Sequence, residues 1–183
     1  MQLKDAYKSL DQAITHAGIA EQVEIEKLWV DAEDETMLAK IQSVDGLIIP
    51  GGFGARGIDG KIQAINYARK NNIPILGICL GMQLSVIEAC RNVLGKTDAS
   101  STEFGPTNNP VVALMTEWMS GEQKEIRGVS DDMGGTMRLG SFDCTISEGT
   151  LAFNLYGNTQ ISERHRHRYE VNLKYKQALE DKG

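Results

Sequence analysis

Cys79 stands between two glycines in Gly77-Ile78-Cys79-Leu80-Gly81-Met82-Gln83, directly after the apolar run Ile73-Pro74-Ile75-Leu76. A thiol becomes a nucleophile when it is held accessible and helped to lose its proton. Glycine two residues to either side lets the backbone turn sharply without a side-chain clash, the logic of a nucleophile elbow. Met82, Val86 and Cys90 follow at four-residue steps, and Ile87 and Leu94 at seven. The stretch therefore reads as strand, turn and helix with the thiol at the tip. The Leu80 N–H can then face an oxyanion formed on attack, and the positive end of the helix favours a thiolate. The competing reading is a buried structural cysteine beside two turn glycines.

Two further stretches carry candidate chemistry. Gly51-Gly52-Phe53-Gly54 follows the apolar run Gly46-Leu47-Ile48-Ile49-Pro50. Consecutive glycines after a strand can aim several N–H groups at one anionic oxygen. No Gly-Lys-Ser/Thr follows and the spacing is not G-x-G-x-x-G, so neither nucleotide-binding loop fits. Beside a cysteine elbow, an oxyanion hole is the better account than a plain turn, and one such donor is worth roughly 3 kcal/mol in a transition state. The other stretch is Glu163-Arg164-His165-Arg166-His167-Arg168-Tyr169-Glu170. As a strand it puts three arginines on one face and His165, His167 and Tyr169 on the other. Guanidiniums so arranged suit carboxylate recognition. A solvated edge strand, a nucleic-acid patch and a histidine metal site compete. The last lacks Cys or carboxylate ligands at suitable spacing beyond Glu163, so no metal site is expected.

The elements that must position these groups follow from periodicity. Residues 3–17 carry an amphipathic pattern that predicts a helix ending near Gly18. Residues 22–30 partly alternate and predict a strand. A short helix through Met37, Leu38 and Ile41, a strand at 46–50, a helix around Ile62, Ile65 and Ala68, and a strand at 73–78 come next. Strands alternating with helices imply right-handed crossovers, and hence an α/β fold. Its sheet is expected to be mostly parallel and open, with helices on both faces and active groups beyond the strands' carboxyl ends. After residue 95 the pattern predicts a polar surface loop over 96–110, a strand at 111–116 and a polar loop over 118–132. It then predicts a bent antiparallel pair from Met133 to Ile146, a helix at 150–156, a strand from Ile161 to Val171 and a terminal helix at 173–181. This is an antiparallel extension in a single domain, 1–183.

With 183 residues the chain can bury one full core. Its net charge of −6 disfavours a general nucleic-acid binder, whose phosphate contacts need a basic surface. Three cysteines at wide, irregular spacing make neither a disulfide framework nor a zinc pattern and suit a reducing cytoplasm. No apolar run approaches the ~18 residues of a membrane span, so no membrane partner is expected.

Pro50 to Gly54 and Gly77 to Gln83 resemble class I glutamine amidotransferases. With Ser101-Thr102-Glu103-Phe104, Met133 to Gly140 and Glu163 to Glu170, the chain closely resembles the glutamine amidotransferase domain of the CTP synthase family over nearly its whole length. The resemblance implies a flavodoxin-like amidotransferase fold and a glutaminase reaction. Cys79 would attack the glutamine amide. Gly52, Phe53 and Leu80 would supply oxyanion N–H groups. Gly81, Met82, Gln83, Glu103 and Arg168 would hold L-glutamine. Ammonia would pass to a synthetase domain that converts UTP to CTP with ATP and Mg2+. The resemblance also implies GTP as effector, a homotetramer assembled through the synthetase part, which leaves the isolated domain free to be a monomer, and no cofactor in this domain.

The family's triad is completed by a histidine and a glutamate in a Phe-His-Pro-Glu motif, and these 183 residues do not contain it. The family's strand before the first helix and the synthetase domain are missing too. The expectation is an incomplete domain with nucleophile and oxyanion hole but no general base, which should cost several orders of magnitude in rate. Two alternatives remain: a catalytically silent glutamine-binding or regulatory module, and a cysteine hydrolase of γ-glutamyl or peptide bonds on a similar fold. The second does not account for 101–104 or 133–140.

Overall fold

A computed structural model of the chain describes residues 4–114, 117–120, 123–126 and 138–182. Helix α1 (Lys8–Glu21) follows a 3-10 turn over Lys4–Tyr7. The expected end at Gly18 is corrected. Gly18 lies buried inside α1, where a Cβ would stand 3.0 Å from the Val23 carbonyl oxygen and 3.2 Å from Ile25 Cδ1. The helix closes instead at Gln22, in the left-handed region at φ 57°. Val23 N–H then donates to Gly18 O at 2.9 Å as the chain folds back. Residues 22–30, expected as a strand, join no ladder among the described residues, and Val23, Ile25 and Leu28 are exposed. Alternation supplies a face, but a strand also needs a neighbour to pair with.

The next elements build the frame of the candidate site. They are α2 (Met37–Lys40), β1 (Leu47–Ile49), α3 (Ile58–Lys70), β2 (Ile75–Gly77) and α4 (Leu80–Asn92). β1 and β2 pair in parallel, with Leu47 opposite Ile75 and Ile49 opposite Gly77. Parallel neighbours need a crossover, which α3 supplies. Both strands end together, so Gly51-Gly52 and Cys79 emerge side by side.

The second half departs further from expectation. β3 (Ala99–Ser101) runs parallel to β4 (Asn109–Leu114), inside what reads as a polar loop. Ala99 and Ser101 are fully buried where β3 packs on α4. β5 (Glu117–Ser120) and β6 (Gln123–Ile126) form an antiparallel pair within the expected loop, whose other residues up to 132 lie outside the described residues. β7 (Arg138–Thr145) does not fold back on itself. It pairs antiparallel with β8 (Gln160–His167), with α5 (Leu151–Tyr156) between them, and residues 133–137 of the expected bent pair lie outside the described residues. The strand expected over 161–171 breaks at Arg168, and β9 (Tyr169–Val171) crosses to pair antiparallel with β4. A 3-10 turn over Leu173–Tyr175 and α6 (Lys176–Glu180) follow.

The class is α/β with parallel pairing, as expected, plus the antiparallel extension. Helix α4 is the centre of the core. It buries Leu80, Leu84 and Ile87 at helical spacing and packs on α3 and on β1, β2, β3, β4 and β9. On the flank of that stripe toward α3 it buries Glu88, whose carboxylate accepts from Arg69 (2.9 Å), Asn66 (2.7 Å) and Asn92 (3.0 Å). A buried charge is tolerable only when partnered in this way.

Candidate active site

The turn between β2 and α4 has the geometry that the two glycines predict. Cys79 sits at φ 52° and ψ −107°, a strained conformation for a residue with a side chain. A Cβ on Gly77 would lie 2.7 Å from the Met82 backbone nitrogen. A Cβ on Gly81 would lie 1.9 Å from the Ile49 carbonyl oxygen, which already accepts from Ile78 N–H at 2.9 Å. Any side chain at 77 or 81 would push α4 off the strands, so the thiol is held out by enforced close packing.

The glycine stretch after β1 passes beside that thiol. A Cβ on Gly51 would stand 3.4 Å from Cys79 Cβ, and one on Gly52 would stand 3.4 Å from Leu80 Cδ2 and 3.8 Å from Lys61 Nζ. Gly54 N–H donates to Glu103 Oε1 at 3.0 Å, and Tyr7 Oη donates to Gly51 O at 3.4 Å. Phe53 is exposed between them. Glu103 thus ties the glycine stretch to the turn after β3, where buried Ser101 Oγ accepts from Glu103 N–H at 3.2 Å.

Strand β8 closes the other side. Cys79 Sγ donates to the Arg166 carbonyl at 3.7 Å. Buried Gln83 donates from Nε2 to the Tyr169 carbonyl at 2.9 Å. Arg168 occupies the bend between these two carbonyls. Gly81 and Met82 form the first turn of α4 beside them. The expected residues therefore converge: Cys79, Gly52, Leu80 and Gln83, with Glu103 reached through Gly54 and Arg168 through its flanking main chain. His165 and His167 do not join the thiol. They bond to each other on the β8 face turned to Phe142, and among the described residues no histidine hydrogen-bonds Cys79.

Burial pushes the Cys79 thiol above its ordinary value. The Leu80 N–H pulls it down, and the Glu103 carboxylate adds to the rise. The helix terminus acts in the expected direction, but burial outweighs it, so the resting nucleophile is the protonated thiol. Three participants escaped the sequence reading: the Arg166 carbonyl, Tyr7 and Lys61. Tyr7 reads as one more residue of an amphipathic stripe. The other two contacts involve a main-chain atom and a lysine on the crossover helix, where a single charge carries no motif.

The site is thus a strained cysteine elbow packed beside consecutive glycines on an α/β frame. The chain belongs to the class-I glutamine amidotransferase family, whose model matches residues 2–182. Within that family its likeness is to the amidotransferase part of CTP synthases. It is 55% identical to the CTP synthase of Methylorubrum populi, over 99% of this chain and 34% of that protein. It is 54% identical to the CTP synthase of Parvibaculum lavamentivorans over the same shares. The solved structure of the Trypanosoma brucei CTPS glutaminase domain with bound acivicin is 37% identical and superposes with a TM-score of 0.81. That match covers 100% of this chain and 68% of the other. The chain spans about a third of the length of the curated relatives it matches.

Proposed function

We propose that Cys79 attacks the side-chain amide carbon of L-glutamine, expelling ammonia and leaving a γ-glutamyl thioester that water hydrolyses to glutamate. The observation that carries this reading is the Cys79 elbow held against Gly51-Gly52 with the Leu80 N–H beside it. The amide oxygen, as it gains charge, would sit among the N–H groups of Gly52, Phe53 and Leu80. Gly81, Met82, Gln83, Glu103 and Arg168 would hold the substrate, with the Arg168 guanidinium matched to the α-carboxylate. The ammonia would serve a synthetase domain of the same enzyme, which converts UTP to CTP with ATP and Mg2+ in pyrimidine nucleotide synthesis. GTP as effector, a tetrameric whole enzyme and a cytoplasmic setting belong to the same proposal. Three unpaired cysteines agree with the last of these.

A second reading is favoured by one observation. The Cys79 thiol is raised, and among the described residues no side chain stands ready to take its proton. A pocket of that kind binds glutamine without turning it over. Ammonia release from L-glutamine, measured beside Cys79→Ala, separates the two. Cys79-dependent turnover supports the hydrolase. Glutamine binding with no turnover supports the silent module, and neither binding nor turnover contradicts both.

A further inference from the structure

The two histidines of β8 form a hydrogen-bonded pair whose proton positions the geometry fixes. His167 is buried, and its Nδ1 faces two acceptors, the Tyr169 carbonyl at 3.1 Å and Glu170 Oε1 at 3.3 Å. Nδ1 must therefore carry the proton. The other nitrogen of a neutral ring, Nε2, is then an acceptor, and it lies 2.8 Å from His165 Nδ1. So His165 also carries its proton on Nδ1. The chain of donors runs from His165 to His167 to the Tyr169 carbonyl. That same carbonyl takes its second hydrogen bond from Gln83 Nε2 at 2.9 Å. Both of its lone pairs are used, one from the active-site helix and one from the histidine pair.

We propose that His167, its tautomer set by the acceptors at its Nδ1 and matched by His165, is a positioning residue for the glutamine pocket: its Nδ1–H, together with Gln83, fixes the Tyr169 carbonyl and so the placement of Arg168. The inference rests on the glutamine reading of the site. Arg168 lies at the bend between two ladders, since β8 stops at His167 and β9 starts at Tyr169. What holds those flanks bears on its backbone direction. Asn at 167 places an amide N–H where Nδ1–H stands, whereas Gln reaches toward the Nε2 position and leaves the Tyr169 carbonyl half-served.

The surroundings of His165 disfavour its charged form. A proton added to His165 meets burial, the Arg138 guanidinium and His167, which together lower its pKa against the opposing pull of Glu170 and Glu163. Arg138 comes from β7, Glu163 from β8 and Glu170 from β9. The Arg138 guanidinium also lies 3.4 Å from Glu170 Oε1 and rests on the Phe142 ring, whose edge meets His165.

Nitrogen-15 spectra of the histidine side chains at pH 7.5 test the tautomers directly. His167 protonated on Nδ1 is expected, and protonation on Nε2 overturns the inference. The second arm measures how well L-glutamine protects Cys79 from iodoacetamide in wild type, His167→Asn and His167→Gln, with thermal midpoints as the folding control. The expectation is that Asn keeps protection within about threefold of wild type. Gln should need about tenfold more glutamine, the worth of one net hydrogen bond at the upper end. If Asn and Gln both protect like wild type, or both fail alike, the positioning role is overturned while the glutamine reading stands. If glutamine gives wild type no protection, the glutamine reading itself fails and the inference falls with it.

Discussion

The Cys79 thiol donates to the main-chain carbonyl of Arg166 across 3.7 Å, so the nucleophile rests under the strand that leads into Arg168. That contact stabilises the thiol over the thiolate, and burial works in the same direction. The rate of Cys79 alkylation by iodoacetamide should therefore rise with pH to a midpoint above that of a free thiol, about 8.5. Peptide-resolved mass spectrometry across pH 6–10.5 reads it. A midpoint at or below 8.5 contradicts this account of the resting site.

Gly81→Ala tests whether the elbow is held by packing. The added methyl would meet the Ile49 carbonyl oxygen, and backbone atoms cannot rotate away as a side chain can. A cost of about 3 kcal/mol in denaturant unfolding is expected, the upper range for overpacking, with loss of selective Cys79 reactivity. A variant within 0.5 kcal/mol of wild type, roughly the scatter of harmless surface changes, would show that α4 does not need its close approach to β1.

Glu88 should make the fold sensitive to acid. Burial pushes its carboxyl up, but hydrogen bonds from Arg69, Asn66 and Asn92 more than offset that and hold it below the usual range. The unfolded chain binds this proton first, near pH 4.3. The stabilisation is thus fully present above that pH and lost as pH falls through the lower folded value. Glu88→Gln should flatten this part of the stability–pH curve between pH 5 and 3. Arg69→Met, which strands the buried charge, should cost about 3 kcal/mol at pH 7. Unchanged acid sensitivity in Glu88→Gln would assign that slope to other groups.

Arg168→Lys should weaken glutamine far more than its conserved charge suggests, because only a guanidinium offers a planar fork to a carboxylate. Calorimetric titration of L-glutamine into Cys79→Ala protein should show affinity falling by about 10- to 100-fold when Arg168→Lys is added, which corresponds to losing one charge-assisted bond or slightly more. Equal affinity would remove Arg168 from carboxylate recognition.

The elbow was legible because its requirements are local. Two glycines, a cysteine and a helical stripe within twenty residues leave little freedom. That Gly51-Gly52 passes beside the thiol was legible only from the elbow. Strand pairing was not, because it depends on residues far along the chain. Residues 22–30 partly alternate yet join no ladder among the described residues, and β3 hides in a polar stretch because its buried residues Ala99 and Ser101 carry no apolar pattern. Period two correctly put His165 and His167 on one face of β8. It could not show the break at Arg168, which moves that side chain from a strand face to a bend between two sheets. Nor could it show that the histidines hold each other and the Tyr169 carbonyl.

The measurement that bears most directly on the central claim is covalent trapping by a chloroketone analogue of glutamine, read by intact and peptide mass. The account predicts one adduct per chain, on Cys79, formed despite the raised thiol because the pocket orients the electrophile. L-Glutamine should slow it, and Cys79→Ala should abolish it while Cys90 and Cys144 stay unmodified. An adduct on Cys144, or labelling of Cys79 that glutamine does not slow, would contradict a glutamine site built around this cysteine.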